Sequence, residues 1–482
     1  MSVAIVKGKD VHAKGYGFST LPNVKATPDT LYYAGATTMA QTGACLSKMI
    51  HSGEYPISWT SKISAIIPDD FAVRYDWATE HLTLEDAVSH RTGIAQHNRA
   101  LQRAHDRPLS TKEIVASMRN LQFPFEPRTE FAVSHHMYIV LSHVIETLTK
   151  KSLSEVLRQT IWEPLGMKST FLGLREARIG KVLGQQFASA ELAQGYSWNV
   201  FRRLNVPVIL MPATELSGAG AVLSNVRDYA KWIQALLKVH SLFSSRVDDD
   251  IQTTRFVYIP RARSGYEIVT YTLGWYRSLY RGRLYYWHDG SMIGYKSLVF
   301  WFPYDDFGFV IFANNDRGHK HMFNIAWKII ADNFRIPEEE LSVRHWPADR
   351  TTPWDHMRNA IAYFYPNHPG IPLDVPITEF EGLYVCKGYG AMRLVAETRG
   401  PNQGSLVIER PEMTWHYSLR LRHVSERFWI ACESRVDDMD NPFAFHPVEF
   451  LEPEADRPLR LRITWVEGLY RVDANATFRK VN

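Results

Sequence analysis

Hydrophobic positions in the first half of the chain follow a short strand-like pattern and then a helical one. Two brief alternating runs flank the turn at 7–10, which predicts a β-hairpin at the start of the chain. Apolar residues recur every three or four positions from 37 to 50, which predicts a buried helix. Residues 34–38 form the strand-to-helix turn before it, where backbone N–H groups lack partners within the helix. Further amphipathic helices are predicted at 84–89, 111–120, 136–148, 153–161 and 225–239.

Strand patterns return after residue 265. Apolar runs rich in aromatic residues predict strands at 271–276, 284–287, 297–302 and 308–312, and a helix at 323–334 follows. Strands at both ends with helices between them are typical of an α+β fold, in which one sheet joins the opening hairpin to the late strands. We expect the helix at 323–334 to pack on that sheet.

The composition changes near residue 346. Proline, histidine, aspartate and threonine dominate 346–376, apart from one helical piece at 354–364, which is typical of a linker. Beyond it, short alternating runs predict a small antiparallel barrel or sandwich, with strands at 382–385, 393–395, 405–408, 418–421, 428–430 and 460–463. We therefore predict a larger domain over 1–345, a linker over 346–375 and an antiparallel β-barrel domain over 376–482.

Composition narrows the classes of function. Hydrophobic residues make up 45% of the 482 residues and charged residues 22%, which excludes a mainly disordered chain. A net charge of +4 without basic runs argues against nucleic-acid binding. The three cysteines, Cys45, Cys386 and Cys432, are far apart, which excludes a disulfide scaffold and a thiolate zinc site. With no signal-like start and no apolar run of about 18 residues, we expect no membrane span and a cytoplasmic location.

Clustered histidines raise the question of a metal site. His319 and His321 are spaced to share one face of a strand, and His97, His105 and Asp106 lie in one polar loop. Neither group contains a complete ligand set at a recognised spacing, and no phosphate-binding loop is present. The sequence therefore predicts neither a metal nor a cofactor.

Several blocks of sequence, in a fixed order, resemble one known family. They are TPDTLYYAGATTM at 27–39, EFAVSHHMYIVLSHVIE at 130–146, SGAGAVLSNVRDYAKWIQALL at 217–237 and WHDGSMIGYKS at 287–297. Residues 2 to about 335 are similar to serine β-lactamases and penicillin-binding proteins, in the class C and esterase branch that includes many fungal members. The resemblance implies a β-lactamase-like fold, with an antiparallel sheet flanked by helices plus an all-helical region. The stretch EFEGLYVCKGYG at 379–390 resembles the first strand of the lipocalin-like domain that follows some members.

The resemblance also locates the family's catalytic positions, where this sequence carries other side chains. Family members need Ser-x-x-Lys at the start of the central helix, so that one helical turn brings the amine beside the hydroxyl that it deprotonates. In the matching register these two positions are Ala36 and Met39, and the Tyr-x-Asn positions of the second motif are Val133 and His135. No lysine has a serine three residues before it and no Gly-x-Ser-x-Gly occurs. We therefore expect acyl-enzyme chemistry to be lost.

The third family motif is present as His288-Asp289-Gly290. In the family, the oxyanion hole uses backbone N–H groups at positions that correspond to Ala36 and Ser291, and backbone donors do not depend on the side chain. An ordinary pKa near neutrality makes His288 and His135 the candidates for proton transfer. The further candidate donors or orienting groups are Ser134, His136, Asp289 and Tyr295, and the predicted pocket residues are Thr37, Thr38, Met39, Val133, Tyr196 and Trp275.

These observations predict a β-lactamase-fold catalyst that polarises a carbonyl group and moves protons through histidine. The expected reaction is an isomerisation, cyclisation or pericyclic step on an apolar intermediate of fungal secondary metabolism, without a cofactor. One alternative is a non-catalytic binding or scaffolding protein, in which Ala36, Met39 and Val133 are plain packing residues. Another is a divergent or engineered-inactive esterase or acyltransferase. Alanine for serine and methionine for lysine are standard knockouts, but Val133 and His135 are not standard choices, which favours natural divergence.

One departure from the family concerns the sheet. Family members usually begin with a helix before the first strand, whereas Ser2 already lies in the predicted strand. That helix packs on the outer face of the sheet, so we expect the barrel, the helix at 323–334 or a second subunit to cover this face. A homo-oligomer is therefore one prediction.

Overall fold

The computed structural model describes residues 1–103, 107–179, 181–182, 185–186, 191–262, 267–340, 352–451, 458–467 and 471–481. Within these residues the chain forms an α+β body followed by a closed β-barrel. None of the described helices has the length and hydropathy that crossing a membrane requires.

One eight-stranded antiparallel sheet forms the centre of the body. Ser2–Lys7 pairs on one side with Asp10–Gly15 and on the other with Phe307–Ala313, so the N-terminal hairpin joins the late strands as predicted. In spatial order the strands are Phe256–Ile259, Val269–Tyr271, Tyr276–Tyr280, Arg283–Met292, Tyr295–Phe302, Phe307–Ala313, Ser2–Lys7 and Asp10–Gly15. The short strands of the body are Phe18–Thr20, Val24–Lys25, Tyr32–Tyr33, Phe171–Leu172, Lys181–Val182, Gln185–Gln186, Tyr196–Asn199, Leu204–Pro207 and Val222–Ser224.

The predicted strand at 271–276 is wrong. The run is a turn between two strands, in which the N–H of Thr272 donates to the carbonyl oxygen of Trp275 across 2.9 Å. Gly274 in this turn has a φ of 73°, and a Cβ on it would lie 2.4 Å from the backbone nitrogen of Ala40. Glycine therefore lets the turn pack directly on the central helix, and the apolar side chains of the run are buried by this contact rather than by a strand.

Two helices of 15 residues lie in the core of the body. The central helix, Thr38–Ser52, is buried along most of its length and ends at Gly53, whose φ of 75° suits a helix C-terminus. It packs against His135–Thr149, which we call the His135 helix. The other helices are Ile63–Ile66, Asp76–His81, Leu84–Val88, Thr111–Ser117, Leu153–Leu157, Glu163–Leu165, Leu174–Ile179, Val226–Leu236, Ser245–Gln252 and His319–Phe334, with a π-helical segment at Arg158–Trp162 and short 3₁₀ turns at Gly35–Thr37, Asn98–Ala100, Met118–Asn120, Thr214–Ala219, Asp316–Gly318 and Glu338–Glu340.

The closing helix, His319–Phe334, covers the outer face of the sheet. Met322, Trp327 and Ile330 pack there with a separate apolar cluster that includes Phe300 and Phe309. We expected the barrel, the closing helix or a second subunit to cover this face, and the closing helix is the one that packs on it. The sheet face is therefore no longer an argument for a second subunit. Homo-oligomerisation stays a prediction, which light scattering would test.

The barrel is an eight-stranded closed antiparallel sheet rather than a sandwich. Its strands are Gly382–Cys386, Gly390–Glu397, Ser405–Arg410, Tyr417–Ser425, Phe428–Arg435, Ala444–Leu451, Arg460–Glu467 and Arg471–Val481, and the first pairs with the last. Two strands were missed in the sequence, because Pro447 interrupts the pattern of one and polar residues such as Asp473 and Asn475 interrupt that of the other. The helix Pro353–Phe364 precedes the barrel, with a 3₁₀ turn at Ile377–Phe380 between them.

Candidate active site

A cavity of about 580 Å³ lies between the body and the barrel. The body contributes Ala36, Gln96, Asn98, Arg99, Val133, His135, Ser197, Trp198, Tyr276, His288, Asp289, Ser291, Met292, Ile293, Lys296, Asp316 and Arg317. The barrel contributes Trp415, His416, Tyr417, Glu433, Arg435, Asp438, Asn441, Pro442, Phe443 and Glu467. The family cleft is thus roofed by the second domain, and aromatic and charged side chains share its walls.

Two backbone segments approach closely on the body side of this cavity. A Cβ on Gly35, whose φ is 55°, would lie 2.9 Å from the nitrogen of Ser291. A Cβ on Gly290 would lie 2.2 Å from the oxygen of Ala34 and 3.0 Å from the nitrogen of Ala36. Only glycine fits at either position, so the backbone nitrogens of Ala36 and Ser291 are held near one another at the cavity wall.

Side-chain hydroxyls fix the turn that carries Ala36. The Oγ of Ser297 and the Oγ1 of Thr37 both donate to the carbonyl oxygen of Ala34, at 2.6 and 2.9 Å. The Oγ1 of Thr38 accepts from the N–H of Val222 at 3.2 Å. The two threonines therefore stabilise the turn and do not line the cavity, whereas Ala36 does.

Met39 occupies the family's lysine position and has no solvent exposure. It lies in the apolar core of the body and is not among the cavity-lining residues. The site therefore has no amine one helical turn after position 36, although a different lysine reaches the cavity.

His288 faces the cavity as a buried, neutral imidazole. Its Nδ1 lies 2.6 Å from the carbonyl oxygen of Asp289 and must donate there, so its Nε2 accepts from the hydroxyl of Tyr271 at 3.1 Å. The ring stacks on Tyr276 with centroids 5.1 Å apart. Burial lowers the pKa of His288 below its ordinary value. The sequence led us to expect titration near neutral pH, and the low-dielectric surroundings are the reason for the difference.

Asp289 also lines the cavity and is ionised. Burial alone would raise its pKa, but the hydrogen bond from His319 and the nearby positive charges lower it overall. The Nε2 of His319 lies 3.1 Å from the carboxylate. His319 and His321 were predicted to share a strand face, which is wrong, because both lie in the first turn of the closing helix.

His135 begins the His135 helix and reaches the cavity from the other side. Its Nδ1 donates to the Oδ1 of Asn98 at 2.8 Å, which leaves Nε2 as an acceptor without a hydrogen bond from the described residues. Burial lowers the pKa of His135 to about 4. Val133 lines the cavity beside it. The imidazole is therefore a neutral acceptor at neutral pH.

Ser134 and His136, on either side of His135, point elsewhere. Ser134 is fully buried, and its backbone N–H donates to the Nδ1 of His90 at 3.2 Å. The Nδ1 of His136 donates to the carbonyl oxygen of Gln96 at 3.1 Å, and burial lowers its pKa to about 3. Neither residue lines the cavity.

Three other predicted site residues are packed away from the cavity. The hydroxyl of Tyr295 donates to the carbonyl oxygen of Ala193 at 2.7 Å. The hydroxyl of Tyr196 accepts from the N–H of Leu21 at 2.7 Å. Trp275 packs its ring on that of Trp301. Their sequence neighbours Lys296, Ser197 and Tyr276 line the cavity instead, because alternate strand residues face opposite sides of a sheet.

No group of three or more potential metal ligands occurs in the part of the chain that the structure describes. His97 uses both ring nitrogens, since Nδ1 lies 2.7 Å from the hydroxyl of Tyr389 and Nε2 lies 2.7 Å from the carbonyl oxygen of Gln122. His105 and Asp106, the other members of that candidate loop, lie outside the described residues.

The barrel wall of the site is the part that sequence reasoning missed. The two domains meet through the 96–103 segment. The N–H of Arg103 donates to the carbonyl oxygen of Glu412, and the N–H of Thr414 donates to the carbonyl oxygen of Leu101, both at 2.9 Å. These partners are more than 300 positions apart, and neither segment carries a motif. No local pattern could have placed Trp415 or Arg435 in the site.

A serine and a lysine meet at the cavity on adjacent strands. Ser291 lies directly opposite Lys296 in the strand pairing, and the Nζ of Lys296 donates to the Oγ of Ser291. Burial lowers the pKa of Lys296. The sequence carried a signal for this pair, because the turn at 293–294 sets the register that makes residues five apart face each other.

Comparisons with known proteins agree with this architecture. Residues 1–332 match the family model described as Beta-lactamase. The chain is 34% identical over 484 residues to the unguisins hydrolase ungD' of Aspergillus campestris, covering 97% of this chain and 86% of that protein. It is 31% identical over 496 residues to the unguisins hydrolase ungD of Aspergillus violaceofuscus, covering 96% and 84%.

Solved structures show the same fold. The octameric penicillin-binding protein homologue from Pyrococcus abyssi superposes with a TM-score of 0.59 at 19% identity, covering 99% of this chain and 95% of that one. The D-amino acid amidase from Ochrobactrum anthropi superposes with a TM-score of 0.54 at 20% identity, covering 65% and 85%. At this identity the likeness shows the fold alone. With the family model matched over most of its length, the chain belongs to the beta-lactamase family.

Proposed function

We propose that this protein binds a carbonyl-containing small molecule in the cavity and converts it without forming an acyl-enzyme. The observation that carries the proposal is that the family's catalytic side chains are absent while its backbone oxyanion donors are kept. The family's nucleophile and base positions hold Ala36 and Met39, while glycines 35 and 290 keep the nitrogens of Ala36 and Ser291 together. Such a site stabilises negative charge on oxygen but has no serine at the usual position to attack carbon.

Backbone donors of this kind act on the carbonyl oxygen. As an enolate or a related species forms, charge moves onto that oxygen, and fixed N–H dipoles in a partly dehydrated site stabilise it without reorganising. The donors are already positioned by the contacts to Ala34, so no conformational work is needed at the moment of reaction. An isomerisation, cyclisation or dehydration next to a carbonyl is the chemistry that gains most from this arrangement.

Two neutral histidines supply the acid and base groups. The Nε2 of His135 has a free lone pair and can accept a proton from the substrate. His288 holds its proton on Nδ1, and its Nε2 accepts from the hydroxyl of Tyr271, so His288 would exchange a proton with the substrate only after one of these hydrogen bonds opens. A pKa of about 4 makes His135 a weak base, so proton transfer to it requires that the backbone donors stabilise the developing oxyanion in the same step.

Aromatic side chains on both walls suit the apolar part of such a substrate. Trp198 and Tyr276 line the body side, and Trp415 and Phe443 line the barrel side. The fungal origin of the two relatives supports an intermediate of fungal secondary metabolism as the substrate class. No residue of the cavity calls for a cofactor in this chemistry.

Replacing either histidine should slow turnover without unfolding the protein. We expect His135→Ala and His288→Ala to lower kcat by about 10²- to 10⁴-fold, the range that positioned acid–base groups provide. The measurement is conversion of a metabolite extract, followed by mass spectrometry, with His12→Asn on the exposed hairpin strand as the matched control. Full turnover by both alanine variants would remove the histidines from the mechanism.

Hydrolysis by a relocated nucleophile is the second candidate function. Two observations favour it, namely that both fungal relatives are called hydrolases and that Ser291 pairs with Lys296 at the cavity. The Oγ of Ser291 would bond to the carbonyl carbon while its proton passes to a neutral Lys296. The leaving group would take that proton, and water would then release the acid and restore the serine. The N–H groups of Ala36 and Ser291 would serve the same oxyanion, with the nucleophile moved from one donor residue to the other.

A fluorophosphonate probe separates the two candidates. We expect no covalent adduct on the intact protein if the first proposal holds, because Ser291 then does not act as a nucleophile. The hydrolase predicts one adduct that Ser291→Ala abolishes and Lys296→Met slows by about 10²-fold or more, whereas the exposed-surface control Ser58→Ala leaves it unchanged. Absence of both adduct and turnover would favour the non-catalytic binding protein.

A further inference from the structure

Arg435 ends a barrel strand and has an unusual hydrogen-bonding state. Its side chain is buried, with 6% of the residue exposed, and its Nε donates to the Oδ1 of Asp437 at 2.8 Å. Its Nη1 and Nη2 are also buried, and neither has a hydrogen-bond partner among the described residues. Two strong donors on one cation are therefore left unsatisfied inside the protein.

Unsatisfied buried donors of this kind need an explanation. Two other buried arginines of the barrel interface are satisfied. Arg99 bonds to Glu433 and Glu467, and Arg410 bonds to Glu412 and to the carbonyl oxygen of Tyr389. Arg435 lines the cavity, as Arg99 does, and also a narrow recess that adjoins it, but unlike Arg99 it has no acceptor for its Nη groups among the described residues. The missing acceptor is therefore expected to arrive with a ligand.

Asn441 offers the complementary group on the same loop. Its Nδ2 donates to the carbonyl oxygen of Trp198 and to Asp438, both at 3.2 Å, which fixes the orientation of the amide. Its Oδ1 is buried and has no partner among the described residues, and Asn441 also lines the cavity. One unsatisfied acceptor thus accompanies the two unsatisfied donors.

The local charges indicate a neutral ligand group. Asp437 already compensates the charge of Arg435, and Asp438 adds a second carboxylate, held by Asn199 at 2.9 Å and by Asn441. His416 also faces this corner, and burial lowers its pKa. With two carboxylates beside one guanidinium, a further carboxylate would be repelled, whereas a neutral carbonyl oxygen can accept both N–H bonds.

We propose that Arg435 and Asn441 form a subsite for a secondary amide of the substrate. The amide oxygen accepts from the Nη groups of Arg435, and the amide N–H donates to the Oδ1 of Asn441. The proposal deepens the proposed function, since it rests on substrate occupying the same cavity, but it does not depend on which reaction follows. The substrate class is then a carbonyl compound that also carries a peptide-like group, bound at the barrel wall.

Three probes of one size test this subsite by ligand-observed NMR titration of the full chain. N-benzylacetamide carries the amide, 4-phenylbutan-2-one keeps the carbonyl without the N–H, and 3-phenylpropanoate carries a carboxylate. We expect the amide to bind about ten-fold more tightly than either of the others, because only the amide satisfies both Arg435 and Asn441. Tightest binding of the carboxylate, equal binding of all three, or binding of none would overturn the proposal.

Variants assign the effect to the two residues. Arg435→Met should weaken amide and ketone binding together by about ten-fold, while Asn441→Leu should remove only the preference for the amide. Arg462→Met, which breaks an exposed barrel pair with Glu449, is the matched control. Arg435→Met also breaks the ion pair with Asp437, but that carboxylate is 28% exposed and can be hydrated, so we expect only a small fall in the melting temperature. Titrations well below the melting temperature of each variant then separate lost binding from lost folding.

This experiment and the histidine test fail separately. Amide preference that depends on Arg435, combined with full turnover in the histidine variants, would overturn only the proposed reaction. Slow turnover in the histidine variants, combined with amide binding that Arg435→Met leaves unchanged, would overturn only the subsite.

Discussion

Acidification from pH 7 to about 4.5 is expected to remove several kcal/mol from the free energy of unfolding. The reason is a set of buried or partly buried neutral histidines whose pKa values all lie below the ordinary value. They are His90, His97, His135, His136, His288, His416 and His446. For each of them burial is the largest cause, because it disfavours the charged ring.

Stability falls on acidification because the folded and unfolded proteins take up protons at different pH values. An unfolded histidine takes up its proton as the pH falls through about 6.5, whereas the buried one stays neutral down to its lowered pKa. The unfolded state therefore binds more protons, and stability falls as the pH drops below about 6.5. For His135 and His136, with pKa values of about 4 and about 3, each slope approaches about 1.4 kcal/mol per pH unit between pH 5.5 and 4.5.

Urea unfolding at several pH values between 7.5 and 4.5 measures this dependence. We expect His136→Asn to reduce the slope of the free energy of unfolding against pH by about the contribution of one histidine. Asparagine can still donate to the carbonyl oxygen of Gln96 but cannot titrate. His12→Asn, on the exposed strand Asp10–Gly15, should leave the slope unchanged. Equal slopes for the parent and His136→Asn would show that the buried ring does not govern acid stability.

Arg99→Met is expected to lower the free energy of unfolding by about 3–5 kcal/mol. Arg99 contacts the Oε1 and Oε2 of Glu433 at 3.3 and 2.8 Å and also bonds to Glu467, so it joins the body to two barrel strands. Burial alone would raise the pKa of Glu433, but the charge of Arg99 and the hydrogen bond from His446 lower it to about 2. Removing Arg99 leaves a buried carboxylate, which costs about 3–5 kcal/mol.

Denaturant unfolding of three variants isolates this cost. Arg107→Met breaks an exposed pair with Glu113 and should leave the free energy of unfolding nearly unchanged. In Arg99→Met/Glu433→Gln the buried charge is gone and glutamine can still accept from His446, so we expect the double variant to recover much of the loss. A double variant less stable than Arg99→Met would mean that packing, not the unpaired charge, is responsible.

The local sequence pattern predicted most of the helices and strands, and the family motifs predicted the cavity wall that the body contributes. Alternating and helical periods located the hairpin, the central helix and the barrel, because these elements bury one face of their own sequence. The pattern failed at 271–276, where Gly274 lets a turn be buried by the central helix. It failed again at His319, whose spacing suits a strand as well as a helix start.

Residues close to the family motifs reached the cavity when strand or helix direction allowed it. Ala36, His135 and His288 line it, while Tyr295 and Trp275 lie on the opposite side of their strand or turn. Periodicity gives two faces for a strand but does not say which one meets a cavity. The barrel wall could not be predicted in this way. Arg435 lines the cavity because segments far apart in the sequence pack together, and no local pattern encodes that packing.

The position of the cavity between the two domains couples ligand occupancy to domain docking. A ligand that touches Ser291 on one wall and Arg435 on the other cross-links the body to the barrel without a covalent bond. Any compound that binds the docked form alone then stabilises it by mass action, by about 2.7 kcal/mol at a concentration of 100 Kd. Substrate candidates can therefore be ranked by the rise they cause in the melting temperature, before any reaction is known.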